Sequence, residues 1–392
     1  MACYYELLGK NELRVWGLTW AERLKRLLAS RAEPLPPSYR LRPEDKILLF
    51  RADYLLDDRL VRYLLSQGNL LVLSREGKPL AAVVRADLYL STKAFFLGKG
   101  PLPEGIEAKE LSEISGAFFQ QLRKFEPPFA LKLTPETRAL VERRLYDWSY
   151  KGVTDLVTKW LWPAPAREAV RLCVRLGLKP NHVTFLGFLL VVLAGYLFYE
   201  GRLGLGLLAA WFMTFLDTVD GKLARVTVTS SKFGHYFDHV IDLVHPPIWY
   251  VLWALGAQKL GQWEISWPFS WLVGALFAGY ILERLIEGAF MSVFGFEIFC
   301  WRPLDSFFRL VMARRNPCLI LLTISWLGKR PDLGFLAVVF WTVLTAFFLL
   351  LRFLTALVIS RRKKLEPWLK EPERFSSHRL AIKWFTRQTQ EA

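Results

Sequence analysis

The sequence predicts a soluble α/β domain followed by an α-helical integral membrane domain of about six transmembrane helices, with an interfacial amphipathic helix between the two. Three observations lead there. The chain of 392 residues is 53% hydrophobic with 16 Trp, yet carries a formal net charge of +16. Its apolar pattern changes near residue 150, from short runs to runs long enough to cross a hydrocarbon core of roughly 30 Å. The basic residues gather between those long runs, as in membrane proteins with cytoplasmic surfaces that meet anionic lipids or phosphate groups. Nucleic acid, the other common partner of a basic chain, is not expected beside so much lipid-compatible sequence.

Residues 1–147 read as the soluble α/β part. Apolar runs predict strands at Lys46–Phe50, Asn69–Leu73 and Leu80–Val84, and helical periodicity predicts helices at Thr19–Ser30, Asp57–Ser66 and Pro135–Tyr146. Pro34, Pro36, Pro37 and Pro43 make 31–43 a loop. Charged Glu6, Lys10, Glu12 and Arg14 interrupt any apolar N-terminal run, so no signal peptide is expected. Cys3, Cys173, Cys300 and Cys318 have no paired spacing and predict neither a disulfide framework nor a zinc site.

Residues 148–176 mix Trp148, Trp160, Leu161, Trp162 and Val170 with Lys151, Lys159, Arg167, Arg171 and Arg175. That composition suits a helix lying in the membrane interface; an ordinary linker helix is the alternative. The membrane domain, 177–365, is expected to place spans near 181–200, 203–226, 233–257, 268–294, 316–328 and 333–360, the fifth being short. Residues 366–392 form a tail. Lys232, Arg302, Arg309, Arg314, Arg315 and the run Arg361-Arg362-Lys363-Lys364 lie on one side of these spans, and fewer basic residues lie on the other. The bias predicts a multi-pass protein of the inner or plasma membrane with both termini in the cytoplasm.

Four carboxylates interrupt the apolar runs. Asp217 and Asp220 are three apart, and Gly234, Asp238 and Asp242 are four apart, so each set shares a helix face at the cytoplasmic edge of spans two and three. A carboxylate inside a membrane costs on the order of 3 kcal/mol. Four together require a cation, and an all-oxygen cluster suits Mg²⁺, Mn²⁺ or Ca²⁺. Glu283, Arg284 and Glu287 in span four are further intramembrane ionisable groups. His235 and His239 flank the third aspartate, either to hydrogen-bond and orient it or as packed core.

The run Asp217-Thr-Val-Asp220-Gly221-Lys-Leu-Ala224-Arg225, then Gly234, Asp238 and Asp242, resembles the signature of the CDP-alcohol phosphotransferase family, with all eight fixed positions present over 26 residues. A cation-transporter cavity accounts for the acids alone, but not for Gly221, Ala224, Arg225 and Gly234. The resemblance implies a metal-dependent enzyme, with two Mg²⁺ or Mn²⁺ ions held by Asp217, Asp220, Asp238 and Asp242. Asp238 and Asp242 are its catalytic pair, Asp242 being the general base on the acceptor hydroxyl. Cytidine diphosphate would lie against Gly221, Ala224, Arg225 and Gly234. Pro180-Asn181-His182-Val183-Thr184 resembles the family's entry to span one, though Lys179 stands where Thr is usual. Two readings are open for Asn181 and Thr184: contacts to the cytosine, or, for Asn181, a helix cap.

The implied reaction transfers a phosphate-linked alcohol, with CDP-diacylglycerol as donor, to a polyol or phosphorylated alcohol acceptor, and releases CMP in phospholipid synthesis by a homodimer. Arg284, Arg302, Arg309, Arg314 and Arg315 are candidates for the acceptor phosphate, positive-inside topology being the plain alternative. The first domain faintly resembles a cytidylyltransferase, through Val15-Trp16-Gly17, Glu22-Arg23-Leu24 and Leu48–Asp53. It has no Gly-rich phosphate loop, so it is expected to be inactive, as a dimerisation or regulatory platform. A bifunctional enzyme that also makes its own CDP-alcohol is the alternative.

Overall fold

The computed structural model describes residues 2–114, 118–229 and 232–386; within them the side chains of 112, 118, 121, 232, 233, 235 and 238 are not described. The N-terminal part is an α/β domain. Strands β1 (Cys3–Leu8), β2 (Glu33–Pro34), β3 (Lys46–Arg51), β4 (Tyr54–Leu56), β5 (Leu70–Leu73), β6 (Pro79–Arg85) and β7 (Glu107–Glu110) include a mixed sheet of order β2-β1-β3-β6-β5-β7. β1 and β3 run parallel, whereas β6 runs antiparallel to both β3 and β5. Ile47 to Phe50 are fully buried, as expected of a central strand covered on both faces. Helices α1 (Trp20–Leu28), α2 (Asp58–Ser66), α3 (Ala86–Phe96) and α4 (Arg138–Trp148) cover the sheet. α1 starts at a reciprocal capping box in which Thr19 and Glu22 satisfy each other's backbone amides, and α2 starts at the Asp57 cap. The periodicity reading misses β1, β7 and α3, which carry too few consecutive apolar residues to stand out.

The interfacial segment 148–176 is not one helix. α4 ends at Trp148, residues 149–155 are non-helical, Val157–Leu161 form a π turn, and α5 spans Pro163–Arg175. The break has a steric cause: a Cβ at Gly152 would lie 2.5 Å from the Arg123 carbonyl, and the amides of Gly152 and Val153 donate to the Leu122 and Arg123 carbonyls. α5 turns Ala166, Val170 and Cys173 into the core of the α/β domain and leaves Leu172 and Leu176 exposed. One face is therefore a domain contact, and the other keeps the apolar surface that an interfacial position needs.

Five further helices are long and apolar enough to cross a membrane: α6 (Pro180–Tyr199), α7 (Leu203–Val226), α8 (Lys232–Lys259), α9 (Phe269–Phe294) and, after two shorter ones, α12 (Pro331–Ser360). The shorter α10 (Pro303–Val311) and α11 (Arg315–Leu327) meet at a 45° bend. They stand where the short fifth span was expected. α13 (Arg379–Phe385) lies in the tail, where Trp368 and Phe385 pack with Val153 and Trp301. α6, α7 and α8 pack together, α12 lies against α9, and small residues permit the close approaches. At Gly256 of α8 a Cβ would fall 1.9 Å from the Phe198 carbonyl of α6, whereas Gly274 of α9 has open space.

Gly256→Ala should therefore lower the thermal midpoint in detergent sharply, by the equivalent of about 2 kcal/mol or more, while Gly274→Ala leaves it unchanged. Equal midpoints would place α6 and α8 further apart.

Candidate active site at the ends of the acid-bearing helices

Asp217 and Asp220 face the site from the last three turns of α7, and Asp242 faces it from α8. The structure joins Asp217 and Asp242 through Arg315, the first residue of α11. One guanidinium nitrogen contacts Asp217 Oδ2 and the other contacts Asp242 Oδ1. Two carboxylates 25 positions apart in sequence thus converge on one cation. The α10–α11 bend makes this possible, because it turns Arg314 and Arg315 toward different neighbours. Arg314 pairs with Glu287 of α9, which also receives Arg284 Nη1 at 3.3 Å. Asn316 donates from Nδ2 to Asp155 Oδ1 at 2.9 Å, which fastens α11 to the 149–155 segment.

Asp220 is 5% exposed, and its Oδ2 accepts the Thr184 hydroxyl at 2.7 Å. Thr184 therefore touches the acid cluster directly. Asn181 is exposed on the first turn of α6, and Lys179, not Asn181, occupies the cap position. A Cβ at Gly221 would come within 3.0 Å of Arg225 Nη2, so the missing side chain leaves that guanidinium room to lie along the helix. Ala224 is half-buried on the same turn. Gly234 lies in the first turn of α8, and the backbone of Asp238 one turn further on. The side chains of Asp238 and His235 lie outside what is described. Among the described residues, no group of three or more His, Cys, Asp and Glu is assembled as a ligand set.

The basic residues expected to form one acceptor run are in four places. Arg315 belongs to the acid cluster, and Arg284 and Arg314 converge on Glu287. Arg302 stacks away from them on Trp301 and Phe375. Arg309 lies over Phe299, with buried Nε and Nη1 that find no hydrogen-bond partner. Lys151 joins this basic group from outside the spans. Its side chain is exposed, and it is chiefly the neighbouring Arg123 guanidinium that holds its ammonium down to about 8. Arg123 itself pairs with Glu297 at 2.9 Å. Residue spacing carries no signal for Arg123 and Lys151, because they reach the site by domain packing. Nearby, between α6 and α8, a groove of about 490 Å³ has an almost wholly apolar lining that includes Phe188, Val192, Ile241 and Trp249.

Residues 178–361 match the sequence model of the CDP-alcohol phosphatidyltransferase family. The archaetidylinositol phosphate synthase of Pyrococcus horikoshii is 33% identical over 117 residues, which cover 30% of this chain and 60% of that protein. The bifunctional IPC transferase and DIPP synthase of Rubrobacter xylanophilus is 30% identical over 38% of this chain and 34% of its own. The chain thus matches between a third and three fifths of the length of these relatives. The phosphatidylinositol phosphate synthase of Mycobacterium tuberculosis, solved with CDP-DAG bound, aligns at 20% identity over 47% of this chain and 92% of its own, with a TM-score of 0.36.

Removing the shared cation should expose the repulsion it relieves. Arg315→Gln is expected to destabilise the metal-free protein by roughly 2 kcal/mol, less than a fully buried pair would lose because Asp242 retains solvent contact. Millimolar Mn²⁺ should restore the midpoint. An unchanged midpoint would show that the two aspartates do not share Arg315.

Proposed function

We propose, from the premise that residues 178–361 are a CDP-alcohol phosphatidyltransferase domain, that the chain transfers the phosphatidyl group of a CDP-linked lipid such as CDP-diacylglycerol to an alcohol and releases CMP. The observation that carries the reading is the convergence of Asp217 and Asp242 on one cation beside the Gly221–Arg225 turn. Their oxygens already meet a single positive centre, so the donor set suits a divalent metal. Asp217, Asp220, Asp238 and Asp242 would hold Mg²⁺ or Mn²⁺, two ions by resemblance to the family. Such ions neutralise the diphosphate and make the acceptor hydroxyl more acidic.

The chain's own groups do the rest. Arg225 offers a forked donor to the cytidine-side phosphate, and Gly221 and Ala224 let the nucleotide lie against the α7 backbone. Thr184 orients Asp220 by its hydroxyl. The acceptor oxygen attacks the phosphorus distal to cytidine as its proton passes to the Asp242 carboxylate. The bond from that phosphorus to the bridging oxygen breaks, and the electron pair leaves with CMP. The groove between α6 and α8 suits the lipid tail of the donor. Arg284, Arg309, Arg314 and Lys151 favour a phosphorylated polyol such as an inositol phosphate as acceptor, in keeping with the name of the Pyrococcus relative. The working form is a homodimer, and the site faces the cytoplasm, where the basic loops lie. The α/β domain is catalytically inactive in this reading, because its sequence has no Gly-rich phosphate loop to hold a triphosphate.

Purified protein with Mn²⁺, CDP-diacylglycerol and an inositol phosphate should release CMP in proportion to acceptor, and Asp217→Asn should lower the rate by about 10³-fold or more. CMP release that persists in that variant would remove the acid cluster from the reaction. Lys151 supplies a pH test. Above about 8 it loses its proton, and the basic group loses one charge facing the acceptor phosphate. The KM for a phosphorylated acceptor should therefore rise between pH 7 and 9, and Lys151→Arg should flatten that rise. Identical profiles would place the acceptor phosphate elsewhere.

A further inference from the structure

The cytoplasmic end of α7 ends in an unusual turn. The Thr229 amide donates to the Ala224 carbonyl and the Val228 amide to the Arg225 carbonyl, the pairing of a helix end that reverses through a left-handed residue. That residue is Val228, with φ of 51°. Glycine normally fills such a position, because a β-branched side chain there is strained. Strain of this kind persists only where the surroundings hold it, and the holders come from the other domain. Arg23 of α1 donates from Nη1 to the Val226 carbonyl at 2.6 Å, and Arg26 donates to the Thr227 carbonyl at 2.6 Å. These are two of the carbonyls that a helix end leaves without a partner inside the helix, and the negative pole of the helix dipole favours cations there.

The clamp is built in, not incidental. Arg23 is 2% exposed, and Asp58 of α2 holds it through both carboxylate oxygens at 2.8 and 2.9 Å. From the other direction, Lys222 of α7 points away from the acid cluster. It donates to the Ser149 carbonyl at 3.2 Å and sits 3.3 Å from the centre of the Tyr150 ring. Val219, Leu223 and Val226 complete the face, in one continuous core with Leu24, Leu60 and Tyr146 of the α/β domain. The helix that carries Asp217, Asp220 and Arg225 on one side is thus part of the α/β core on the other.

We propose that the α/β domain is a positioning element for the transferase site. Arg23, backed by Asp58 and assisted by Arg26, holds the Val226–Thr229 turn and so sets the rotation of α7 and its register against α8. Arg23, Arg26 and Lys222 are positioning residues that act through α7 and touch no substrate. The proposal rests on the transferase reading for its kinetic consequence, but not for its structural one. It gives a domain without a phosphate loop a reason to be there, and it predicts that the strained valine is tolerated only while the clamp is closed.

The test uses the full chain in detergent. Arg23→Leu/Asp58→Leu removes the clamp without leaving a buried charge alone, so the fold should hold; Arg26→Gln is added to release Thr227. Two readouts are taken: amide hydrogen exchange of 224–229, and steady-state CMP release at varied donor and varied acceptor. The expected result is exchange at least tenfold faster in that segment and a donor KM raised about tenfold, with acceptor KM and thermal midpoint near those of the parent. Val228→Gly, which relieves the strained turn, should leave the parent unchanged and bring the donor KM of the triple variant back within about threefold. If exchange and donor KM both match the parent, the proposal is overturned. It is overturned equally if all kinetic constants fall together with the midpoint and Val228→Gly rescues nothing, since that marks a fold defect alone. If the parent itself releases no CMP, the transferase reading fails, and the exchange measurement still decides the clamp.

Discussion

A carboxylate between membrane helices is expensive unless something cationic answers it, and the arrangement of the helical domain follows from how Asp217 and Asp242 meet that demand. Both reach Arg315, which is delivered by the first turn of α11 after a bend that interrupts what would otherwise be one span. The neighbouring Arg314 answers Glu287 in the same way. Three acid-bearing helices are therefore drawn toward one broken span. The bend that makes the fifth span look short in sequence is the feature that brings two arginines to the level of the acids. Arg315 offsets only part of the charge of Asp217 and Asp242, and Asp220 is tied to Thr184 beside them; in the proposed function a divalent cation meets the remainder.

The same helix end joins two halves of the chain that composition separates. α7 presents acids and Arg225 on one side, while Lys222, Val219 and Leu223 on the other complete the α/β core. The proposed catalytic geometry and the domain docking are thus carried by one element. The α/β domain is accordingly packed against the end of α7 through one shared core.

Much of this was legible in the sequence for identifiable reasons. The spacing of Asp217, Asp220, Asp238 and Asp242 fixes helix faces without knowledge of anything distant. The α1 and α2 starts were readable because Thr19 and Asp57 cap locally. What escaped reading depends on long-range pairing. Arg315 lies 98 residues from Asp217, and nothing in a basic run marks which arginine turns inward. Arg23 contacts Val226 across 203 residues. The expected continuous interfacial helix failed at Gly152, where tertiary packing against Arg123 overrides local amphipathicity. Lys151 was read as part of an interfacial face, and its place beside Arg123, Arg225 and Arg309 appears only once the domains are docked.

The proposed function requires the acids on α7 and α8 to form a cation-dependent cytidine-diphosphate site. Calorimetric titration of a CDP-linked lipid into the purified protein, with and without Mn²⁺, measures it without reference to any acceptor. Saturable binding that requires the metal and is lost in Asp220→Asn is the expected result. Binding that is absent under both conditions, or equally strong without metal, would contradict it.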